Sequence, residues 1–293
     1  MLKVISVFRF PNLRTEDQCL VILYHTSAPC ISLDEAYLDV TENKKGNPSA
    51  TMIALEIRQK IKEKTQLNAS AGISINKFVA KIASDINKPN GQKTIPPEEV
   101  VPFLETLDVK KFYGVGKVTK QKMYRLGIFT GKDLKAKSLK FLEENFGKSG
   151  GFYYNVVRGI HSSTVKPSRK QKSLAAEHTF SENISSEIFM MERLEEIAAE
   201  VEHRLIQRKL AGKTVTLKIR YSDFTLQTRS KTLPIFISSK ELILETVREL
   251  LFQSTMKESV RLLGISISNL NNEKRKNPIN TQESVNFQLT FGF

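Results

Sequence analysis

The chain has 293 residues, 40% of them hydrophobic, and carries 45 Lys and Arg against 31 Asp and Glu, a formal net charge of +14. This length allows two or three domains with cores of their own, and the excess of cations favours a polyanionic partner, DNA or RNA, over a merely soluble basic surface. Two cysteines and four scattered histidines exclude a disulfide framework and a zinc cluster and indicate a reducing, cytoplasmic setting, and no apolar run has the length of a signal peptide or a membrane span.

A pair of adjacent carboxylates, Asp34 and Glu35, lies in an apolar stretch that is typical of a strand, a tight corner and a second strand. Neighbouring carboxylates at low dielectric repel each other and lose hydration, so the pair persists most easily with a divalent cation between its members. The pair therefore predicts a metal site. The alternative is an amphipathic strand end whose acids point to water.

Helix and strand patterns alternate after this corner. Isoleucines at four-residue spacing predict a helix over Ser49–Lys64, and Asn76 is placed to cap a second helix that ends before an Asn-Gly turn at 90–91. Strands are predicted over Leu67–Ser74 and Lys93–Ile95. This order predicts an α/β layer with the carboxylates at a corner of its sheet.

Short helices separated by glycines predict a small all-α domain over residues 97–162. Its notable element is the turn Gly114-Val115-Gly116-Lys117, followed by a helix over Val118–Leu126 that contains Lys120. Two glycines let the backbone turn tightly, and the helix N-terminus presents free N–H groups to an anion. We therefore predict that this turn, with Gly114, Gly116, Lys117 and Lys120, is a helix-hairpin-helix that holds a DNA phosphate without reading bases. The alternative is an ordinary tight turn between two helices. The other helices are predicted over Glu98–Thr106, Lys132–Ala136, Leu139–Phe146 and Phe152–Arg158.

A third domain is predicted after a basic tether. Its patterns follow the order βαββαβ, which predicts a four-stranded sheet with two helices on one face. Alternation along its second and third strands predicts one core face and one polar, basic face. We assign four cations to the polar face, where they suit a nucleic-acid backbone: Lys218, Arg220, Arg229 and Lys231. The alternative is a plain solvated face.

The polar composition of residues 272–293 predicts a flexible tail, and this tail ends in the hydrophobic sequence Phe-Gln-Leu-Thr-Phe-Gly-Phe. A tether with apolar anchors at its tip is typical of a docking peptide for an apolar groove. The predicted docking residues are Gln288, Leu289, Phe291 and Phe293. The alternative is an apolar terminus that packs on its own domain.

Three separated motifs resemble the Y-family DNA polymerases, specifically their bacterial DNA polymerase IV branch. The motifs lie in Ser32–Thr41, in Ala69–Asp85 and in Asn87–Gln92, and the resemblance runs from about Ile31 to the C-terminus. It implies an α+β multidomain fold with a partial α/β palm, an all-α helix-hairpin-helix thumb and a βαββαβ little-finger domain. The boundaries that we predict are 31–96 for the palm, 97–162 for the thumb, 163–172 for the basic linker, 173–271 for the little finger and 272–293 for a tail with a clamp-binding peptide.

The resemblance also implies a chemistry, the addition of deoxynucleotides to a primer by two-metal phosphoryl transfer in lesion bypass. Asp34 would be a ligand of two Mg²⁺ ions, and Glu35 would be the other catalytic carboxylate, at the metal nearer the primer end. Lys88 would meet the triphosphate of the incoming nucleotide. The implied partners are primer-template DNA, deoxynucleoside triphosphates and a sliding clamp, bound by a cytoplasmic monomer without a membrane.

The resemblance breaks at the start of the chain. The family begins with a strand that carries a further metal-binding Asp, a nearby aromatic that excludes ribonucleotides and a fingers domain, and residues 1–30 contain none of these. We predict that these thirty residues are unrelated or misframed, that the palm sheet lacks a strand, and that primer extension is very weak because a carboxylate is missing. The alternative is a non-catalytic remnant that binds DNA and clamp. Independently of the resemblance, a helix-hairpin-helix glycosylase or nuclease is a third hypothesis, against which the carboxylate pair and Lys88 argue.

Overall fold

A computed structural model describes residues 5–9, 30–32, 35–42, 46–166 and 170–272. The chain divides into two compact units, Met1–Ser168 and Arg169–Phe293. The first unit combines an α/β layer with a group of short helices, and the second is a four-stranded sheet with two helices. This mixed helix and strand architecture confirms the predicted fold class.

The α/β layer of the first unit contains a five-stranded sheet. Its strands are β1 (Ile5–Arg9), β2 (Cys30–Ser32), β3 (Glu35–Asp39), β4 (Ser70–Ser74) and β5 (Gln92–Thr94). They lie in the order β2-β3-β1-β4-β5, with β4 and β5 parallel and the other pairs antiparallel. Such a sheet places the end of β2 and the start of β3 at one corner, where the carboxylate pair lies in the sequence.

Strand β1 fills the centre of this sheet, so the prediction that the sheet lacks a strand is wrong. Arg9 pairs with Glu35 of β3 on one side and with Ser70 of β4 on the other, and all five residues of β1 follow this register. The sequence Ile-Ser-Val-Phe-Arg is rich in the β-branched and aromatic types that favour strands. Backbone pairing of β1 with β3 and β4 therefore completes the sheet.

Two helices, α1 (Ala50–Thr65) and α2 (Lys77–Ala83), belong to the layer, and both were predicted. Helix α1 buries Ile53, Ile57 and Ile61 in one core with residues of β3 and β4, because residues four apart share a helix face. The Asn76 side chain accepts a hydrogen bond of 3.0 Å from the Val79 N–H, which confirms that Asn76 caps α2.

Five α-helices and two short 3₁₀ turns follow within the described part of the first unit. They are a 3₁₀ turn (Pro97–Glu99), α3 (Val100–Thr106), a 3₁₀ turn (Val109–Lys111), α4 (Lys117–Arg125), α5 (Gly131–Lys135), α6 (Leu139–Phe146) and α7 (Lys148–Val156). Helix α7 begins four residues before the predicted start at Phe152. Gly150 does not end a helix but lets α7 approach α6, since a Cβ at this position would lie 2.2 Å from the Leu142 carbonyl oxygen.

The predicted palm and thumb share one hydrophobic core. Phe78 and Ile82 of α2 pack in the same buried cluster as Leu104 of α3 and Met123 of α4. The Asn76 amide also donates a hydrogen bond of 2.9 Å to the Gly159 carbonyl, just after α7. Burial of α2 on both sides therefore joins the two regions into one compact unit.

The second unit has the predicted order βαββαβ. Its elements are β6 (Ser173–Ile184), α8 (Glu187–Gln207), β7 (Gly212–Tyr221), β8 (Leu226–Ile237), α9 (Lys240–Phe252) and β9 (Val260–Leu270). The sheet is antiparallel in the order β6-β9-β7-β8, α8 packs on β6 and β9, and α9 packs on β7 and β8. Val215, Leu217 and Ile219 lie in the core between the sheet and these helices, as predicted.

Candidate active site and nucleic-acid interface

The acidic corner is described in part. Asp34 lies outside the described residues, whereas Glu35 is the first residue of β3. A Glu35 carboxylate oxygen lies 2.5 Å from the Lys81 ammonium nitrogen of α2, and both side chains are only about 15% exposed (Glu35 15%, Lys81 13%). Removing one member of such a shielded pair leaves the other charge poorly solvated, so the pair fixes the two side chains against each other.

Two more residues of β3, Tyr37 and Asp39, alternate with the buried Ala36 and Leu38 and so lie on the same face as Glu35. The Lys77 ammonium lies 5.8 Å from the centre of the Tyr37 ring. An oxygen of Asp39 accepts hydrogen bonds from the Thr41 N–H and hydroxyl at 3.1 and 2.5 Å. Asp39 thus closes a local turn, although its position allows it to face the corner.

The described residues do not by themselves fit a two-metal centre. Within that part of the chain, no group of three or more His, Cys, Asp and Glu side chains is arranged to hold a metal ion. Strand β1 pairs with β3 beside Glu35, and its residues Ile, Ser, Val, Phe and Arg include no acid. Glu35 has the oxygen chemistry that Mg²⁺ prefers, and the Lys81 ammonium is one of its partners.

Lys88 lies within the loop between α2 and β5, and its ammonium is ion-paired with the carboxylate of Asp85. The loop needs special backbone conformations. Asn90 has φ +51°, and a Cβ on Gly91 would lie 1.9 Å from the Asn87 carbonyl oxygen. The loop that carries Lys88 is therefore a defined turn, as the Asn-Gly pair predicts.

The predicted glycine turn leads into α4. Gly114 has φ +90°, a left-handed backbone conformation that suits glycine. Gly116 is the N-cap of α4, and because glycine has no side chain, no side-chain hydrogen bond caps the first turn of this helix. The first N–H groups of α4 are therefore available to an anion. Lys117 is exposed and Lys120 is half-buried, with its ammonium 5.5 Å from the centre of the Tyr124 ring. The structure thus brings all four predicted thumb residues to one turn and the helix that follows it.

The sequence analysis missed the pair that braces this turn, Asp108 and Tyr124. The Tyr124 hydroxyl lies 2.8 and 2.9 Å from the two Asp108 carboxylate oxygens, and the Lys110 N–H donates to one of them at 2.9 Å. Partial burial acts to raise the pKa of Asp108, but hydrogen bonds from Lys110 and Tyr124 and the Lys110 charge outweigh it and lower that pKa. The only sequence signal was an Asp before a short turn, which is too common to identify the pair.

The open face of the second sheet, away from α8 and α9, carries rows of hydroxyl groups. Thr214 is hydrogen-bonded to Thr232, and Thr216 to Ser230, each at 2.9 Å between hydroxyl oxygens. In the same register, Lys218 lies opposite Thr228, and its ammonium is 2.5 Å from a Glu177 carboxylate oxygen; Arg220 lies opposite Leu226. Thr214 and Thr216 stand two positions apart on β7, so the alternation of this strand already indicated that threonine belongs to its polar face.

Arg229 and Lys231 do not lie on this open face, so their predicted placement is wrong. The β7–β8 register sets them opposite Leu217 and Val215, whose side chains are buried under α9. Arg229 is 6% exposed and donates hydrogen bonds to the Leu250 and Leu251 carbonyls at 2.8 and 2.5 Å. Lys231 is ion-paired with Glu249 of α9. Alternation was read correctly on each strand, but only the register shows which alternate residues share a face.

Arg229→Met is expected to destabilise α9 and β8 by about 1–3 kcal/mol, because two helix-terminal carbonyls lose a charged donor in a buried place. Hydrogen exchange of the full chain, read by mass spectrometry on peptides from α9 and β8, measures this. Lys231→Met is the matched control, and loss of its exposed ion pair should cost less than about 1 kcal/mol. Equal protection in both variants would contradict the structural role of Arg229.

The last two predictions concern the docking peptide and the membrane. The docking residues Gln288, Leu289, Phe291 and Phe293 lie outside the described residues. Among the helices that the structure does describe, none is long and apolar enough to cross a membrane.

Comparison with known families gives three matches along the chain. The impB/mucB/samB family matches residues 12–85, its helix-hairpin-helix motif matches residues 97–128, and its C-terminal domain matches residues 171–280. The first match includes residues 12–30 of the segment that we predicted to be unrelated. The order of the three agrees with the palm, thumb and little finger that the resemblance implies.

Curated relatives are similar over most of the chain. DNA polymerase IV 2 of Agrobacterium fabrum is 52% identical over 245 residues, which are 83% of this chain and 69% of the relative. DNA polymerase IV of Leptospira interrogans is 43% identical over 282 residues, covering 92% of this chain and 78% of the relative. The corresponding protein of Listeria monocytogenes is 49% identical over 241 residues, covering 82% and 68%.

Solved structures have the same fold. A Y-family DNA polymerase chimera of Dbh and Dpo4 is 27% identical, with a TM-score of 0.75, and the match covers 87% of this chain and 74% of the chimera. A ternary complex of Dbh is 26% identical, with a TM-score of 0.59 and coverage of 87% and 76%.

Proposed function

The chain belongs to the impB/mucB/samB family, the Y-family of lesion-bypass DNA polymerases, and from this membership we propose that it holds primed DNA firmly but extends primers weakly. The proposal of weak primer extension is supported by the composition of β1. This strand pairs with β3 beside Glu35 and contributes no acid, while Lys81 is paired with the Glu35 carboxylate.

The family uses divalent metals, and we propose Mg²⁺ for this chain. Asp34 and Glu35 would hold it, and its charge would stabilise the negative charge of the reacting phosphates. With few carboxylates to share two ions, the site would bind them weakly. We propose that Lys88 binds the triphosphate of the incoming deoxynucleotide, a role supported by its charge and by its place in a defined loop.

DNA binding in this proposal rests on two basic surfaces, one in each unit. The first is the thumb turn, where Gly114 and Gly116 bring the N-terminus of α4 with Lys117 and Lys120 within reach of a phosphate. The second is the open sheet face, where Lys218 and Arg220 stand among Ser and Thr hydroxyls. Both surfaces suit phosphate and sugar contacts and carry no arrangement that reads bases.

The double variant Lys117→Ala/Lys120→Ala tests DNA binding by the thumb. We expect its dissociation constant for primer-template DNA to rise about tenfold at 0.1 M salt, and the slope of log K against log salt to become shallower by about 1.8, because two phosphate contacts are lost. Lys62→Ala/Lys64→Ala, on exposed positions in the last turn of α1, is the control. An unchanged slope in the thumb variant would refute the phosphate contact.

The remaining partners are proposed from family membership and the tail. Gln288, Leu289, Phe291 and Phe293 would dock the chain on a sliding clamp, and the chain would act as a cytoplasmic monomer. A non-catalytic protein that occupies primer ends is the second candidate, favoured by the acid-free strand β1. The helix-hairpin-helix glycosylase or nuclease is no longer a candidate, because the chain belongs to a polymerase family.

A further inference from the structure

The guanidinium of Arg58, in α1, is bonded to the loop that carries Lys88. Its Nε donates to the Ala69 carbonyl at 2.9 Å, and one terminal nitrogen donates to the Gln92 side-chain oxygen at 3.2 Å. The other terminal nitrogen donates to both the carbonyl and the side-chain oxygen of Asn90, the latter at 3.0 Å. Four bonds from one rigid planar group therefore tie the loop to the residue before β4 and to the first residue of β5.

The loop has further bonds that hold one conformation around this anchor. The Asn87 amide donates to the Gln92 carbonyl at 2.8 Å, and the Gly91 carbonyl accepts from the Ala71 N–H at 3.0 Å. The Gln92 amide returns to α1 through the Thr51 carbonyl at 3.2 Å. Asn90 keeps φ +51° in the middle of this arrangement, so its carbonyl and side chain both point to Arg58.

We infer that Arg58 is a positioning residue for nucleotide binding, which it serves by holding Asn90 and Gln92 so that Lys88 stands at the triphosphate. This inference rests on the proposed role of Lys88. Lys88 is two residues before Asn90, and its ammonium also contacts Asp85 at the far end of the loop. A shift of the loop would move Lys88 as well, because Lys88 lies between Asp85, which its ammonium contacts, and Asn90, which Arg58 holds.

Arginine is required at this position because of its shape. Lysine carries the same charge on one nitrogen with at most three N–H donors, so it cannot reproduce the four hydrogen bonds that the three guanidinium nitrogens make. Arg58→Lys should therefore retain the charge near the loop and lose most of the fixation, whereas Arg58→Met loses both.

The test compares nucleotide affinity in single and double variants. The full chain is bound to a primer-template whose primer ends in a dideoxynucleotide, so that no chemistry follows, and the dissociation constant of the next correct deoxynucleoside triphosphate is measured with Mg²⁺ by a fluorescent template base. We expect Lys88→Ala to weaken nucleotide binding about tenfold, and Arg58→Met about as much, because each removes the same charge-assisted contact. The double variant should be no weaker than Lys88→Ala alone.

Controls separate positioning from general damage. Lys62→Met alters the same helix and removes a bond to the Gln66 carbonyl, and it should leave nucleotide affinity unchanged. DNA affinity without nucleotide should change less than about twofold in every variant, and Arg58→Lys, which keeps a long basic side chain, should keep the unfolding midpoint and still lose affinity.

Two failures can be told apart. If Lys88→Ala leaves nucleotide affinity unchanged, the proposed role of Lys88 is wrong. If Lys88→Ala weakens binding but Arg58→Met and Arg58→Lys do not, or if the effects multiply in the double variant, Arg58 does not act through Lys88 and the inference is overturned.

Discussion

Primer extension by the purified chain is expected to be at least about a hundredfold slower than by a Y-family enzyme that has an acid on its first strand, and Asp34→Ala should abolish what remains. Each tenfold loss of rate corresponds to about 1.4 kcal/mol of lost transition-state stabilisation, and a missing carboxylate removes several kcal/mol of it. Strand β1 occupies the place beside β3 without an acid, and Lys81 is paired with Glu35.

A labelled primer-template, incubated with Mg²⁺ and deoxynucleotides, measures the extension, and a gel shift with the same DNA shows that binding persists. Glu42→Ala is a suitable control, because Glu42 is exposed and lies after β3. Robust, template-dependent incorporation of deoxynucleotides by the unaltered chain would contradict the proposal of weak activity. Extension that survives Asp34→Ala would show that it comes from a contaminating polymerase.

Deletion of residues 288–293 is expected to weaken clamp binding about a hundredfold and to leave DNA affinity nearly unchanged. The deleted segment holds two phenylalanines and a leucine within six residues. Buried aromatic anchors carry most of the binding energy of such peptides, so removing all of them removes most of the contact. Binding to a purified sliding clamp by surface plasmon resonance gives the affinity.

Thr290→Ala is the matched control within the peptide, because threonine is not one of the predicted anchors. Phe291→Ala/Phe293→Ala should reproduce most of the loss. Equal clamp affinity after deletion would refute the docking role. If the deletion instead lowered the unfolding midpoint of the chain, the alternative of a terminus packed on its own domain would be supported.

Local patterns predicted the elements of the fold well where one physical rule dominates. Isoleucines four residues apart gave α1, an Asn before a short apolar run gave the cap of α2, and two glycines before a lysine gave the turn into α4. In each case the interaction joins residues at most four positions apart. The start of α7 was missed because Gly150 serves contact with α6, a partner that local spacing does not reveal.

The site was less predictable from sequence because its pairs join distant residues. Arg58 and Asn90 are 32 positions apart, and Glu35 and Lys81 are 46 apart. Nothing in the local pattern marks either pair. Arg229 shows the same limit, since a basic residue in an alternating strand fits an open face as well as a place beneath a helix end.

By itself, the sequence determined the ancestry of this protein, its βαββαβ domain and the thumb turn, because motifs and periodicities express interactions between near neighbours in the chain. Only the tertiary structure decided that β1 completes the palm sheet without an acid, that Lys81 pairs with Glu35, and that Arg229 lies under α9. Strand register and helix packing set these contacts, and both depend on how whole elements bury their surfaces against one another.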